Sequence, residues 1–117
     1  MSFETHIETI DGILILSLKG KVLEDKILKD VLKTVEAGLP KSKGKIILNL
    51  SNLDYVNSTG INFFIKVLTK ARIHGGDVVF YGITGSVQTI VHISKMDEVF
   101  TIVESQEEAL SIFKTAK

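Results

Sequence analysis

From residue 46 to the end of the chain, short apolar runs alternate with segments whose apolar residues have helical spacing. This alternation favours parallel strands that are joined by right-handed helical crossovers. The predicted strands are residues 46–50, 77–81 and 99–103, and the predicted helices are residues 58–74, 86–94 and 105–114. The pattern therefore predicts an α/β fold, in which helices pack on one sheet.

The first part of the chain predicts an antiparallel start to that sheet. Residues 3–10 and 13–18 have the composition of strands, and they are separated only by Asp11 and Gly12. An Asp-Gly pair between two such runs is a strong signal for a β-hairpin.

A further helix is predicted between the hairpin and the next strand. Apolar residues recur at helical spacing over residues 25–37, and Gly38 and Pro40 are predicted to end the helix there. The lysine-rich residues 41–45 that follow are interpreted as a solvated loop, although an anion site remains an alternative.

Size and charge exclude several classes of function. A chain of 117 residues with 44% hydrophobic content suits one domain over residues 1–117. We expect a single mixed sheet of about five strands, antiparallel at the hairpin and then parallel, with about four helices. The 14 basic and 14 acidic residues balance, which argues against a nucleic-acid partner. The chain has no cysteine, no signal-peptide pattern and no long apolar run, so we expect a cytoplasmic protein without membrane insertion.

The segment Asn57-Ser58-Thr59-Gly60 places two hydroxyl side chains at the predicted start of a helix. Asn57 or Ser58 can cap such a start by accepting a hydrogen bond from a free backbone N–H. The helix dipole also makes this position tolerant of negative charge, so a phosphate on Ser58 is compatible with the fold. An ordinary capping role remains the alternative. The apolar stripe of this helix is predicted to comprise Ile61, Phe64, Ile65, Leu68 and Ala71.

Little in the sequence indicates catalysis or metal binding. His6, His74 and His92 lack the spacing of metal ligands, and no nucleotide-binding glycine loop follows a strand. Residues 82–86 could present backbone N–H groups to an anion, but a tight turn with Ser86 as helix cap is the simpler interpretation. We therefore expect no enzyme activity, no cofactor and no metal site.

Residues 45–61 resemble the core signature of the STAS domain, which is best known in bacterial anti-sigma factor antagonists. That signature is an apolar strand, then Asp-Leu-Ser, then an aromatic or apolar pair, then Asp-Ser-Ser/Thr-Gly-Leu. The resemblance continues through residues 75–77, Gly82 and the capping-box pattern at residues 105–108, and it covers nearly the whole chain.

The resemblance implies a regulatory module that binds a protein with both anti-sigma factor and serine kinase activity. In the family, the unphosphorylated antagonist binds this partner and frees the sigma factor, and the partner phosphorylates the residue that matches Ser58. Thr59 is the secondary candidate for phosphorylation, and a monomer or weak dimer is expected. The implied partner-binding residues are Asn57, Ser58, Thr59, Gly60, Ile61, Asn62 and Leu23.

Three positions depart from the family pattern, because Asn57, Asn49 and Leu23 stand where acidic residues are usual. Each loses a carboxylate, and the loss of rim charge changes association rate and partner choice. One alternative is therefore a STAS adaptor subunit of a transport or stress-signalling complex, without phosphorylation. Another is a small enzyme or ligand-binding protein that uses residues 82–86.

Overall fold

The computed structural model describes residues 3–22 and 25–115. Within these residues the chain forms five strands and four α-helices. The strands are β1 (Phe3–Ile10), β2 (Ile13–Val22), β3 (Lys45–Val56), β4 (Asp77–Tyr81) and β5 (Thr101–Val103). The helices are α1 (Asp25–Ser42), α2 (Ser58–Ile73), α3 (Gly85–Ile93) and α4 (Gln106–Thr115). No helix in this part of the chain has the length and apolar character needed to cross a membrane.

The strands form one sheet in the order β1-β2-β3-β4-β5. β1 and β2 are antiparallel, and every later pairing is parallel. Asp11 and Gly12, both at positive φ, form the turn of the hairpin, and Ile10 pairs with Ile13 across it. Positive φ at both turn positions matches the twist of the two strands. The predicted hairpin and mixed sheet are therefore confirmed.

β2 and β3 are longer than the apolar runs suggested. β2 continues to Val22 rather than residue 18, and β3 continues to Val56 rather than residue 50. Two register shifts in β2, next to Lys19 and Lys21, keep the strands paired despite their irregular pattern. The extension carries β3 directly to the start of α2.

Helix α1 passes through Gly38 and Pro40, so the predicted end at residue 37 is wrong. Leu39 is completely buried between them, and its packing holds the last turn in helical form. The helix ends instead where Lys43 and Gly44 adopt positive φ, and the N–H of Gly44 donates to the carbonyl of Leu39. Only the end of the lysine-rich segment therefore forms a turn.

The sheet separates two apolar clusters. The larger one lies beneath α1, α2 and α3, and the smaller one lies beneath α4, which contributes Ala109 and Phe113. Phe80 of β4 lies at the centre of the larger cluster, with its ring stacked on Phe100 and edge-on to Phe64. Burial at this density gives the sheet a rigid centre.

The buried face of α2 differs from the predicted stripe. Phe63 and Val67 are buried, whereas Ile65 is 46% exposed. Periodicity could not separate these possibilities, because apolar residues occur on both sides of Phe64 and either stripe has helical spacing. The structure shows that α2 turns Ile65 toward solvent.

The turns that precede β3 and β4 are in direct backbone contact. The N–H of Asp77 donates to the carbonyl of Gly44 at 3.1 Å, and a side chain added at Gly76 would overlap the backbone of Gly44. Only glycine allows this approach. These two turns are therefore packed against each other, at the end of the sheet opposite to the start of α2.

Candidate functional site

The candidate site lies where β3 runs into α2. Because β2, β3 and β4 are parallel, their carboxyl ends meet at one end of the sheet, and residues 57–62 follow directly from β3 there. Loops at this end of parallel strands commonly form binding sites. The position therefore agrees with the predicted helix-start site.

Asn57 occupies the N-cap position of α2. Its backbone is extended, with φ −112° and ψ −171°, and its side-chain carbonyl oxygen accepts a hydrogen bond from the N–H of Gly60 at 3.2 Å. The backbone carbonyl of Asn57 accepts the bond from Ile61 at 3.0 Å. Of the two candidates for the cap, Asn57 therefore fills this role and Ser58 does not.

The side chain of Ser58 is exposed at the first position of α2. Its hydroxyl makes no hydrogen bond to any residue that the structure describes, so the fold does not depend on it. Thr59 beside it is half-buried. Ser58 is therefore the more accessible of the two hydroxyl residues.

The other predicted contact residues differ in exposure. Asn62 is exposed, Asn57 and Ile61 are half-buried, and Gly60 is buried. Leu23 lies outside the described residues. The accessible part of the predicted surface is therefore centred on Ser58 and Asn62.

The start of α2 is electrostatically suited to an anion. The first turn contains no acidic side chain, whereas Lys70 and Arg72 lie in the last turn. The free N–H groups of the first turn and the aligned peptide dipoles favour negative charge at this end. Because the cap at Asn57 is a neutral amide, no carboxylate already occupies that end.

Asn49, the second position that departs from the family pattern, belongs to the interior of the sheet. Its amide nitrogen donates to the hydroxyl of Ser17 at 3.1 Å. Its side-chain carbonyl oxygen accepts from the backbone N–H of Ser51 at 3.0 Å and from the hydroxyl of Ser51 at 2.6 Å. Asn49 thus joins β2 to β3, well before the start of α2.

Ser86 has a role that its place in the sequence did not reveal. Its hydroxyl donates to the backbone carbonyl of Asp54 at 2.9 Å, which joins the start of α3 to β3. The N-cap of α3 is Thr84, whose side chain makes no capping bond, so the predicted cap at Ser86 is wrong. The residues are 32 positions apart, so no local signal indicates their contact.

Two further features of the molecule were missed. Tyr55, the last but one residue of β3, is 39% exposed. His92 pairs with Asp97 at 2.9 Å, a carboxylate partner that no motif spacing indicated. Among the described residues, no group of three histidine, aspartate or glutamate side chains is placed to hold a metal ion.

A model of the STAS domain family matches residues 4–109 of this chain. The chain belongs to the STAS domain family. Its mixed five-stranded sheet with four helices agrees with the fold predicted from the sequence pattern, and solved anti-sigma factor antagonists have a similar fold.

Proteins named as anti-sigma factor antagonists are similar to this STAS domain along nearly their whole length. BtrV of Bordetella bronchiseptica, named as a putative anti-sigma factor antagonist, is 29% identical over 109 residues, or 93% of each chain. The structure of SpoIIAA in its unphosphorylated form is similar with a TM-score of 0.82 and 14% identity, covering 97% of this chain and 99% of that one. An anti-sigma factor antagonist from Mycobacterium paratuberculosis gives a TM-score of 0.78 at 17% identity, with coverage of 95% and 93%.

A phosphorylated form of the Bacillus protein SpoIIAA is also similar, with a TM-score of 0.68 and 13% identity, covering 96% of this chain and 99% of that one. At these identities the structural likeness shows a shared fold. This STAS domain is thus similar in sequence to BtrV and in architecture to the solved antagonists.

Proposed function

We propose that this STAS domain is an anti-sigma factor antagonist that is switched by phosphorylation of Ser58. Its unphosphorylated form binds an anti-sigma factor that is also a serine kinase, and transfer of the γ-phosphoryl group of ATP to the Ser58 hydroxyl releases it. The observation that carries this proposal is the exposed hydroxyl of Ser58 at the first position of α2, where Asn57 already supplies the cap.

The folded domain should tolerate the phosphate. Phosphorylation adds a charge of about −1.5 to −2. The start of α2 favours an anion by about 0.3–1 kcal/mol, and its first turn contains no acidic side chain to repel one. The switch should therefore act on the complex rather than on the fold.

The complex should be far less tolerant of that charge. The proposed partner surface comprises the exposed residues Ser58 and Asn62, the half-buried Asn57, Thr59 and Ile61, and the backbone at Gly60. Leu23, outside the described residues, is proposed to extend this surface. Burying an uncompensated charge costs about 3 kcal/mol or more, which is about a hundredfold in affinity.

The neutral Asn57 should select the partner. An aspartate there would place a carboxylate next to the phosphoacceptor, whereas the amide leaves this part of the rim uncharged. Because rim charges mainly affect association rate and partner choice, we expect the cognate kinase to lack a basic residue facing Asn57. The proposed setting is the cytoplasm, where ATP is available, and the proposed free form is a monomer or a weak dimer.

Phosphorylation can be tested with the serine kinase encoded nearest to this gene. After incubation with ATP, mass spectrometry should place the phosphate on Ser58. The Ser58→Ala variant should remain unlabelled, whereas Thr59→Val, changed at the neighbouring hydroxyl, should be labelled like the wild type. Equal labelling of Ser58→Ala would refute the assignment.

The effect on binding can be measured by calorimetry with the unphosphorylated wild type, Ser58→Asp and Ser58→Asn. The last variant has nearly the same shape as Ser58→Asp but is uncharged. Ser58→Asp should bind at least about tenfold more weakly than Ser58→Asn, because only the charge differs. Similar melting temperatures would show that folding is unaffected, whereas equal affinities would contradict the interface argument.

A second candidate is an adaptor subunit that is not phosphorylated. The exposure of Ile65 on α2 and of Tyr55 at the end of β3 favours it, because both offer apolar surface beside the site. An adaptor would bind its partner equally well with and without ATP. The proposed antagonist would instead lose its partner when ATP is added.

A further inference from the structure

A groove of about 770 Å³ lies between α3 and β5, on the side of the sheet that carries α3. Its walls include Gln88 and His92 of α3, and β5 contributes Ile102. The groove is separate from Ser58, which does not line it. It is therefore a surface that the proposed phosphorylation switch does not use.

The groove exists because α3 packs on β3 and leaves part of β5 uncovered. Val87 and Val91 of α3 are buried in the larger core, and the Ser86 hydroxyl binds the carbonyl of Asp54 in β3. Ile102 is paired laterally with the buried Phe80, yet Ile102 remains 37% exposed. An apolar side chain is thus left at the floor of the groove.

The lining of the groove is acidic. Asp97 and Glu104 both contribute to it, and the lining residues that the structure describes include no lysine or arginine. The surrounding chain has the same character, since residues 95–108 contain five acidic residues and one basic residue, Lys95. His92 is the one histidine among the lining residues, and it pairs with Asp97 at 2.9 Å. Glu104 therefore has no basic partner among the residues that line the groove.

The groove lies beside an open sheet edge. β5 is the last strand in the order, and no strand in the described part of the chain pairs with its outer side. Such an edge presents N–H and C=O groups that an added strand can bind. The side chains of the added strand alternate, so every second one would face the groove.

We propose that an extended, basic segment of a partner protein docks on β5 as an added strand. An apolar side chain of that segment contacts Ile102, and flanking lysine or arginine side chains approach Asp97 and Glu104. Since β5 has only three residues, Thr101–Val103, few main-chain hydrogen bonds form and the complex is short-lived. This docking does not depend on the phosphorylation of Ser58.

The probe for this proposal is the peptide acetyl-Thr-Lys-Thr-Val-Thr-Lys-Thr-amide, whose valine and two lysines lie on one face of an extended strand, titrated into the full chain labelled with nitrogen-15. Amide resonances of β5 and of the groove-facing side of α3 should shift, while those at the start of α2 should not. The same peptide with glutamate in place of lysine should produce no saturable shift. Equal responses to the two peptides would overturn the proposal, since charge complementarity would then be irrelevant.

Matched variants test the two kinds of contact. Glu104→Lys should weaken binding by about tenfold, whereas Glu4→Lys, at the opposite edge of the sheet, should leave it unchanged. Ile102→Thr should also weaken binding, in contrast to Ile73→Thr at an exposed position of α2. Preserved spectra of the free variants show that each remains folded.

Two N-methylated peptides test strand addition itself, one methylated at the threonine nitrogens and the other at the lysine and valine nitrogens. Both keep the charges and side chains, but only every second N–H of a strand faces its neighbour, so one of the two should lose binding to β5. Undiminished binding of both would mean that the peptide is held only by charge, and would overturn the added-strand geometry. Shifts confined to residues outside the groove would overturn the site.

Discussion

The substitution Asn57→Asp isolates the electrostatic property on which the proposed switch depends. Asparagine and aspartate have nearly the same shape, and either can accept the hydrogen bond from the N–H of Gly60, which is 3.2 Å long in this structure. The exchange therefore keeps the cap and adds one negative charge. No acidic side chain in the first turn of α2 opposes that charge.

The expected gain follows from the helix dipole. An anion at a helix start is worth about 0.3–1 kcal/mol, which raises the melting temperature of a domain of this size by about 1–4 °C. The helix start lowers the pKa of the introduced carboxyl below the ordinary aspartate value of about 3.9. The gain should consequently be complete above pH 5 and lost as the pH falls through the lowered pKa.

Calorimetric melting at pH 7 and at pH 3, in low and high salt, measures this effect. Asn62→Asp provides the control, because it makes the same chemical change at an exposed position one turn further into α2, where the dipole effect is weaker and no cap is involved. The reasoning is refuted if Asn57→Asp stabilises no more than Asn62→Asp. A gain as large at pH 3 as at pH 7 would equally contradict it, since most of the carboxyl would then be protonated.

Two further predictions concern the sheet. Gly82 has φ +80° and a side chain there would overlap the backbone of Ser51, whereas Gly75 has φ +84° in open space. Gly82→Ala should therefore lower the free energy of unfolding in urea by about 1–3 kcal/mol more than Gly75→Ala does. Equal losses would contradict the contact with Ser51. Burial, and then the charge of Glu8, raise the pKa of the Tyr81 phenol above 10.0. The folded state should thus keep the phenolic proton to a higher pH than the unfolded state, so the free energy of unfolding should fall as the pH rises from 10.0 through the raised pKa of Tyr81. Tyr81→Phe should remove this pH dependence. Glu8→Gln should lower the titration midpoint of the Tyr81 phenol, measured by absorbance.

The sequence predicted those parts of the fold that short segments determine by themselves. Asp11 and Gly12 specify their turn through the twist that positive φ imposes. The last helix begins as its capping pattern indicates, because the N–H of Glu108 donates to the hydroxyl of Ser105 at 3.2 Å. Asn57 was one of two candidates for the cap of α2, and only the position of the helix could separate it from Ser58.

The features that were missed depend on contacts between distant segments. α1 passes through Pro40 because Leu39 is buried against the core, which outweighs a local helix-breaking signal. The true face of α2 depends on which residues meet the sheet, so the exposure of Ile65 could not be obtained from spacing. Likewise, the hydrogen bond between Ser86 and Asp54 exists only once α3 has docked on β3.

The backbone contact between Gly44 and Gly76 has a consequence for how this domain can acquire new segments. Because the two turns touch there, an insertion in either one would separate the strands that follow them. At the opposite end of the sheet, Ser58 is exposed at the start of α2. Extra chain length is therefore less well tolerated in these two turns than at an exposed surface such as the one where the partner is proposed to bind.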